Sequence, residues 1–138
     1  HKGWWDAVDL LNDPRSETRV IASAWVPPSE VTSLMRIASA TASQLVIEAS
    51  SSSHPSVGFV QLSAHSTDAG CLVDFVRNLR LKTIRAGGSL ILTSAPVAVK
   101  QAIDVWGEPG SSLDLMKQLK QQFDPSATLN PGRYVGGI

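Results

Sequence analysis

The chain of 138 residues contains one cysteine, Cys71. A single thiol cannot close an internal bridge, so a disulfide framework is excluded and nothing points to an oxidising compartment. Cys71 reads as a small apolar residue of a helix. Histidine is also scarce. His1, His54 and His65 lack the spacing of a zinc or iron site, so no metal centre is expected. His54 precedes Pro55 in an expected loop and His65 follows a strand; both read as surface groups. Charged residues make up 17%, and 12 Lys plus Arg balance 12 Asp plus Glu. That balance gives no case for nucleic acid or an anionic membrane as partner. No apolar run could span a bilayer and no signal peptide is visible, so a cytoplasmic protein without membrane insertion is expected. Catalytic signatures are missing as well. There is no Gly-x-Ser-x-Gly, no Gly-x-Gly-x-x-Gly and no phosphate loop. Gly87-Gly88-Ser89 leads from helix to strand, whereas a phosphate cradle leads from strand to helix.

What is present is 43% hydrophobic residues in a length suited to one domain. Residues 1–18 form a lead-in, and 19–138 are expected to form a single domain. In the lead-in, Trp4, Val8 and Leu11 have helical spacing. The pair Trp4-Trp5 either covers an edge of the domain or meets a partner.

Arg19–Val26 alternates as a strand, with Val20, Ala22, Ala24 and Val26 on one face. Pro27-Pro28 ends it, and Ser29 is expected to cap a helix with the stripe Val31, Leu34, Met35, Ala38 and Ala42. A second strand is expected at Gln44–Ala49, followed by the polar run Ser50–Pro55 as a hairpin connection. Val57–Ala64 is the third strand. Thr67 or Asp68 then caps a helix with Leu72, Phe75, Val76 and Leu79 on its buried side. Gly87-Gly88 ends it, and Arg80, Lys82 and Arg85 complement the dipole. Ser89–Ala95 is a fourth strand. Pro96–Val105 reads as a third helix, and Ser111 with Asp114 reads as a capping box for the last one.

The core order β-α-β-β-α-β predicts an α+β, ferredoxin-like antiparallel sheet with both helices on one face, plus a C-terminal helix and tail. The opposite face would carry Ile21, Ser23, Trp25, Val46, Glu48, Phe59 and Gln61. It calls for a cover: the terminal helices, another domain or a partner.

The chain closes with LMKQLKQQFDPSATLNPGRYVGGI. Leu115, Met116, Leu119 and Phe123 form the apolar side of an amphipathic helix. Asp124-Pro125 stops it, and Asn130-Pro131-Gly132 makes a second turn. Asp124 reads as a turn starter. The ordered string Phe123-Asp124-Pro125, then Leu129-Asn130-Pro131-Gly132-Arg133, resembles the C-terminal signature of FAD-linked oxidases of the vanillyl-alcohol oxidase type. The tail Arg133–Ile138 and Asp104-Val105-Trp106-Gly107 are most similar to the FAD-binding subunits of glycolate oxidases. The strong part of the match covers residues 104–138.

The resemblance implies a cap domain that closes the substrate side of an FAD held by an N-terminal domain of the same chain, preceding residue 1. It implies oxidation of a small 2-hydroxy acid such as glycolate. Electrons would pass to an iron–sulfur subunit, and a catalytic flavin subunit would be a further partner. The chain lacks the histidine-rich metal motif of that catalytic subunit and has a short cap, which suits an accessory flavin subunit. Asn130, Pro131, Gly132 and Arg133 would lie at the flavin or interdomain boundary; as local structure alone they are a rigid turn that docks the tail. On this reading residues 1–138 by themselves hold no flavin and are inactive. The alternative is a free-standing ferredoxin-like module that senses a small molecule or dimerises.

Overall fold

In a computed structural model of the chain, the described residues are 18–138. The lead-in helix expected around Trp4–Leu11 lies outside them. The described chain separates after Val105 into two compact units, the second being Trp106–Ile138.

The first unit is built on four strands: β1 (Arg19–Trp25), β2 (Glu48–His54), β3 (Phe59–His65) and β4 (Ser89–Ser94). Their order in the sheet is β2-β3-β1-β4, every pair antiparallel. Helix α1 (Val31–Leu45) links β1 to β2, and α2 (Ala69–Arg85) links β3 to β4. This is the ferredoxin-like βαββαβ arrangement, as expected.

Strand alternation explains the layering. Val20, Ala22 and Ala24 of β1 point to the helices, as do Val60, Leu62 and Ala64 of β3 and Leu90 and Leu92 of β4; all are buried. Leu34, Ala38 and Ala42 of α1 meet them, with Leu72, Phe75, Val76 and Leu79 of α2. Helical spacing of three and four puts each set on one side of its helix.

Three local expectations are corrected. Ser29 does not cap α1. It sits in a 3-10 turn, Pro28–Glu30, and Glu30 precedes the helix without a side-chain cap bond. The helix runs on through Gln44 and Leu45, which the sequence pattern assigns to a strand. Val46 ends it in the left-handed region at φ 55°, its N–H bonded to the Ala42 carbonyl. The second strand is therefore the serine run, 48–54, and not 44–49. Leu45, Val46 and Ile47 mimic a strand only because three apolar residues straddle a helix end. Val46 leaves the open face accordingly. Ser111 does not form the capping box either, since Ser112 precedes the last helix and makes no side-chain cap bond.

Other details follow the sequence. Asp68 caps α2, its Oδ1 accepting from Gly70 N at 2.7 Å. The third helix is short: α3 (Val97–Ala102), starting after Pro96. Two arginines of α2 hold the segment around it. Arg77 Nη2 donates to the Ala102 carbonyl and Arg80 Nη2 to the Val105 carbonyl, each at 3.3 Å. Leu92 N of β4 donates to the Val105 carbonyl at 2.8 Å, so this segment covers part of the β4 edge. Among the described residues, no helix is long and apolar enough to cross a membrane.

Candidate functional site

The second unit contains every residue singled out as a flavin-side candidate. Its helix, α4 (Leu113–Phe123), has its apolar residues on one side, yet none of its residues is buried. Leu115, Leu119 and Phe123 are exposed, Phe123 at 78%. A two-sided helix normally offsets its ordering entropy by burying the apolar stripe; here Met116 is only half-buried and the rest of the stripe stays exposed.

The turn after α4 is held by one carboxylate. Asp124 is buried. Its Oδ1 accepts from the Thr128 amide and hydroxyl, both at 2.9 Å. Its Oδ2 accepts from the Leu129 amide at 2.9 Å and from Lys120 Nζ at 2.5 Å. Lys120 also donates to the Leu129 carbonyl at 2.6 Å. The Lys120 ammonium, followed by the Leu129 and Thr128 amides, holds the Asp124 carboxyl well below the usual carboxylate range. The turn-starter reading of Asp124 therefore acquires a full set of partners, four donors to two oxygens.

This lock delivers the next turn. Asn130 adopts φ 46°, and Arg133 N donates to its carbonyl at 3.2 Å across Pro131-Gly132. Asn130, Pro131, Gly132 and Arg133 are all exposed. Tyr134 sets its ring edge-on to Trp106, centroids 5.0 Å apart. Between helix and tail lies a cavity of about 370 Å3 bordered by Met116, Leu119, Leu129, Asn130, Tyr134 and Ile138. Its wall is mostly apolar. The polar side chains among its lining residues are Asn130, Tyr134 through its hydroxyl, and Lys120, whose ammonium is already engaged by Asp124. That suits the edge of a planar ring or an apolar side chain better than a pyrophosphate.

The first unit has a second concave place, on the sheet face away from the helices. Arg19, Glu48, Ser50, Ser63 and His65 line a cavity of about 160 Å3 at one end of β1, β2 and β3. The register explains this grouping, because Arg19 pairs with His65, His65 with Glu48, and Ser63 with Ser50. Both internal histidines thus lie on strand ends of this face. Sequence patterning misses this, since it places His54 in a loop and moves β2 by four residues. At the other end, Trp25, Phe59 and His54 form a row, with centroids 5.4 Å and 6.1 Å apart. Cys71, by contrast, faces its own helix start. Its thiol donates to Asp68 Oδ2 at 3.5 Å, and that bond raises its pKa.

No protein-family model matches the chain, and a search of curated proteins finds no match.

Proposed function

We propose that this chain is the C-terminal cap part of an FAD-linked oxidase of the vanillyl-alcohol oxidase type, closing the substrate side of a flavin that oxidises a 2-hydroxy acid such as glycolate. The observation that carries the reading is the second unit. An amphipathic helix leaves Leu115, Leu119 and Phe123 of its apolar side exposed, and a buried carboxylate locks the following FDP…LNPGR turn into one shape. A rigid apolar surface of this kind is complementary to a second rigid surface. On this reading α4 and the tail clasp a preceding FAD-binding domain, and Asn130, Pro131, Gly132 and Arg133 border the cofactor. The flavin supplies the redox chemistry, while this chain contributes orientation and exclusion of water. Electrons would leave to an iron–sulfur subunit.

The test uses the full-length protein. It is expected to purify with FAD, and Asn130→Ala or Arg133→Ala to lower FAD content while circular dichroism stays unchanged. A full-length protein without flavin, or variants with undiminished FAD, would overturn the reading. The cavity lined by Arg19, Glu48 and His65 favours a second reading, a free-standing module that senses a small molecule. An in-frame flavin domain upstream argues against it, and tight binding of a small acid by residues 1–138 alone argues for it.

A further inference from the structure

The sheet has two edges, and they are treated differently. The β4 edge is partly covered by the segment held by Arg77 and Arg80. The β2 edge is bare among the described residues: β2 pairs with β3 alone, and Glu48 to Ser52 are all exposed. Edge strands usually carry a lysine, a proline or a bulge that blocks pairing with another chain. EASSSSH has no lysine, proline or bulge, and its one carboxylate, Glu48, stands at its first residue. The register shift in this sheet falls between β1 and β4, not here.

We propose that β2 pairs antiparallel with β2 of a second copy of this chain, about a two-fold axis at Ser51, making one continuous eight-stranded sheet. Charge placement selects this occupant and this register. The strand has a carboxylate at its first residue, Glu48, and an imidazole at its last, His54, with only Ala49 and serines between. Pairing about Ser51 sets each Glu48 directly opposite His54 of the partner subunit, twice per dimer. An imidazole keeps an N–H to donate to a carboxylate in either protonation state. Residues 48 and 54 both lie on the open face, since they pair with His65 and Phe59. His54 is already set there by stacking on Phe59 at 27°.

The residues flanking the strand agree with the same axis. Val46, which ends α1 in the left-handed region, leaves its branched apolar side chain 90% exposed. Two residues before β2, it would face the partner's Pro55–Val57 turn, where Val57 is 67% exposed. Pairing therefore buries two valines per copy that otherwise face water. The proposal does not rest on the oxidase reading, because it uses only the first unit.

The test is the mass of the 138-residue chain in solution by analytical ultracentrifugation at tens of micromolar. A species of twice 14.7 kDa is expected. Glu48→Lys sets an ammonium opposite the imidazole, and His54→Glu sets two carboxylates opposite one another, each twice per dimer. Made singly, each is expected to weaken the dimer about tenfold or more. Mixing the two singles should restore association. The introduced lysine of one copy then meets the introduced glutamate of the other, while the native Glu48 meets the native His54. Both substitutions are on an exposed edge, and circular dichroism checks that the fold is kept. A monomeric wild-type chain overturns the proposal. So does a dimer whose mass is indifferent to both singles, which would place association elsewhere, for example on the exposed side of α4.

Discussion

Replacing Gly58 by alanine is expected to be among the most damaging single-methyl changes in this protein. Two separate penalties meet there. Gly58 has φ 69°, where a Cβ is strained, and a Cβ built on it would lie 1.9 Å from the Val26 carbonyl oxygen. Backbone on both sides must part by more than an ångström, and the Val26 N–H to Gly58 carbonyl bond of 2.9 Å ties those same segments together. Two other glycines separate the penalties. Gly87 has φ 77° with open space around it, so Gly87→Ala carries the conformational cost alone, about 1 kcal/mol. Gly88 has no unusual φ, but its Cβ would lie 2.1 Å from the Trp25 carbonyl oxygen, so Gly88→Ala carries the steric cost, roughly 1–3 kcal/mol. Gly58→Ala combines both with a weakened hydrogen bond, roughly 3–5 kcal/mol together. That is a large share of the roughly 5–15 kcal/mol available to a domain. Urea denaturation followed by far-ultraviolet circular dichroism measures all three, with m unchanged. The order Gly58 > Gly88 > Gly87 is expected. A Gly58→Ala protein as stable as Gly87→Ala would refute the argument that β1 and the turn before β3 are in backbone contact.

Two other expectations concern carboxylates. Because folding depresses the Asp124 pKa, its stabilising effect is present above the ordinary carboxylate value of about 4 and is lost as pH falls below it. Hydrogen exchange at the Thr128 and Leu129 amides should therefore lose protection on acidification, and Asp124→Asn should flatten that dependence; equal slopes in both proteins would exclude the lock. Asp68→Ala removes the α2 cap and is expected to cost about 1 kcal/mol. The same change releases the Cys71 thiol from its acceptor, so reaction with a disulfide reagent at neutral pH should accelerate; an unchanged rate would contradict the Asp68 contact.

Period and punctuation decided much of this protein in advance. Alternation in RVIASAW and in the Phe59–His65 strand sets which residues face the helices, because successive strand residues must point to opposite sides. The stripes of α1 and α2 set which helix sides meet them. The Asp-Pro and Asn-Pro-Gly stops shape the tail, because proline and left-handed φ leave the backbone few choices there. Those constraints are local, so they are legible residue by residue. Tertiary structure alone decided the rest. An edge strand buries almost nothing, so EASSSSH carries no hydrophobic pattern and is a strand only because β3 offers it partners. Antiparallel register, which joins residues far apart in the chain, gathers Arg19, Glu48 and His65 at one end of the sheet. The four donors around Asp124 converge only once α4 has ended and the chain has turned back, which no spacing rule specifies.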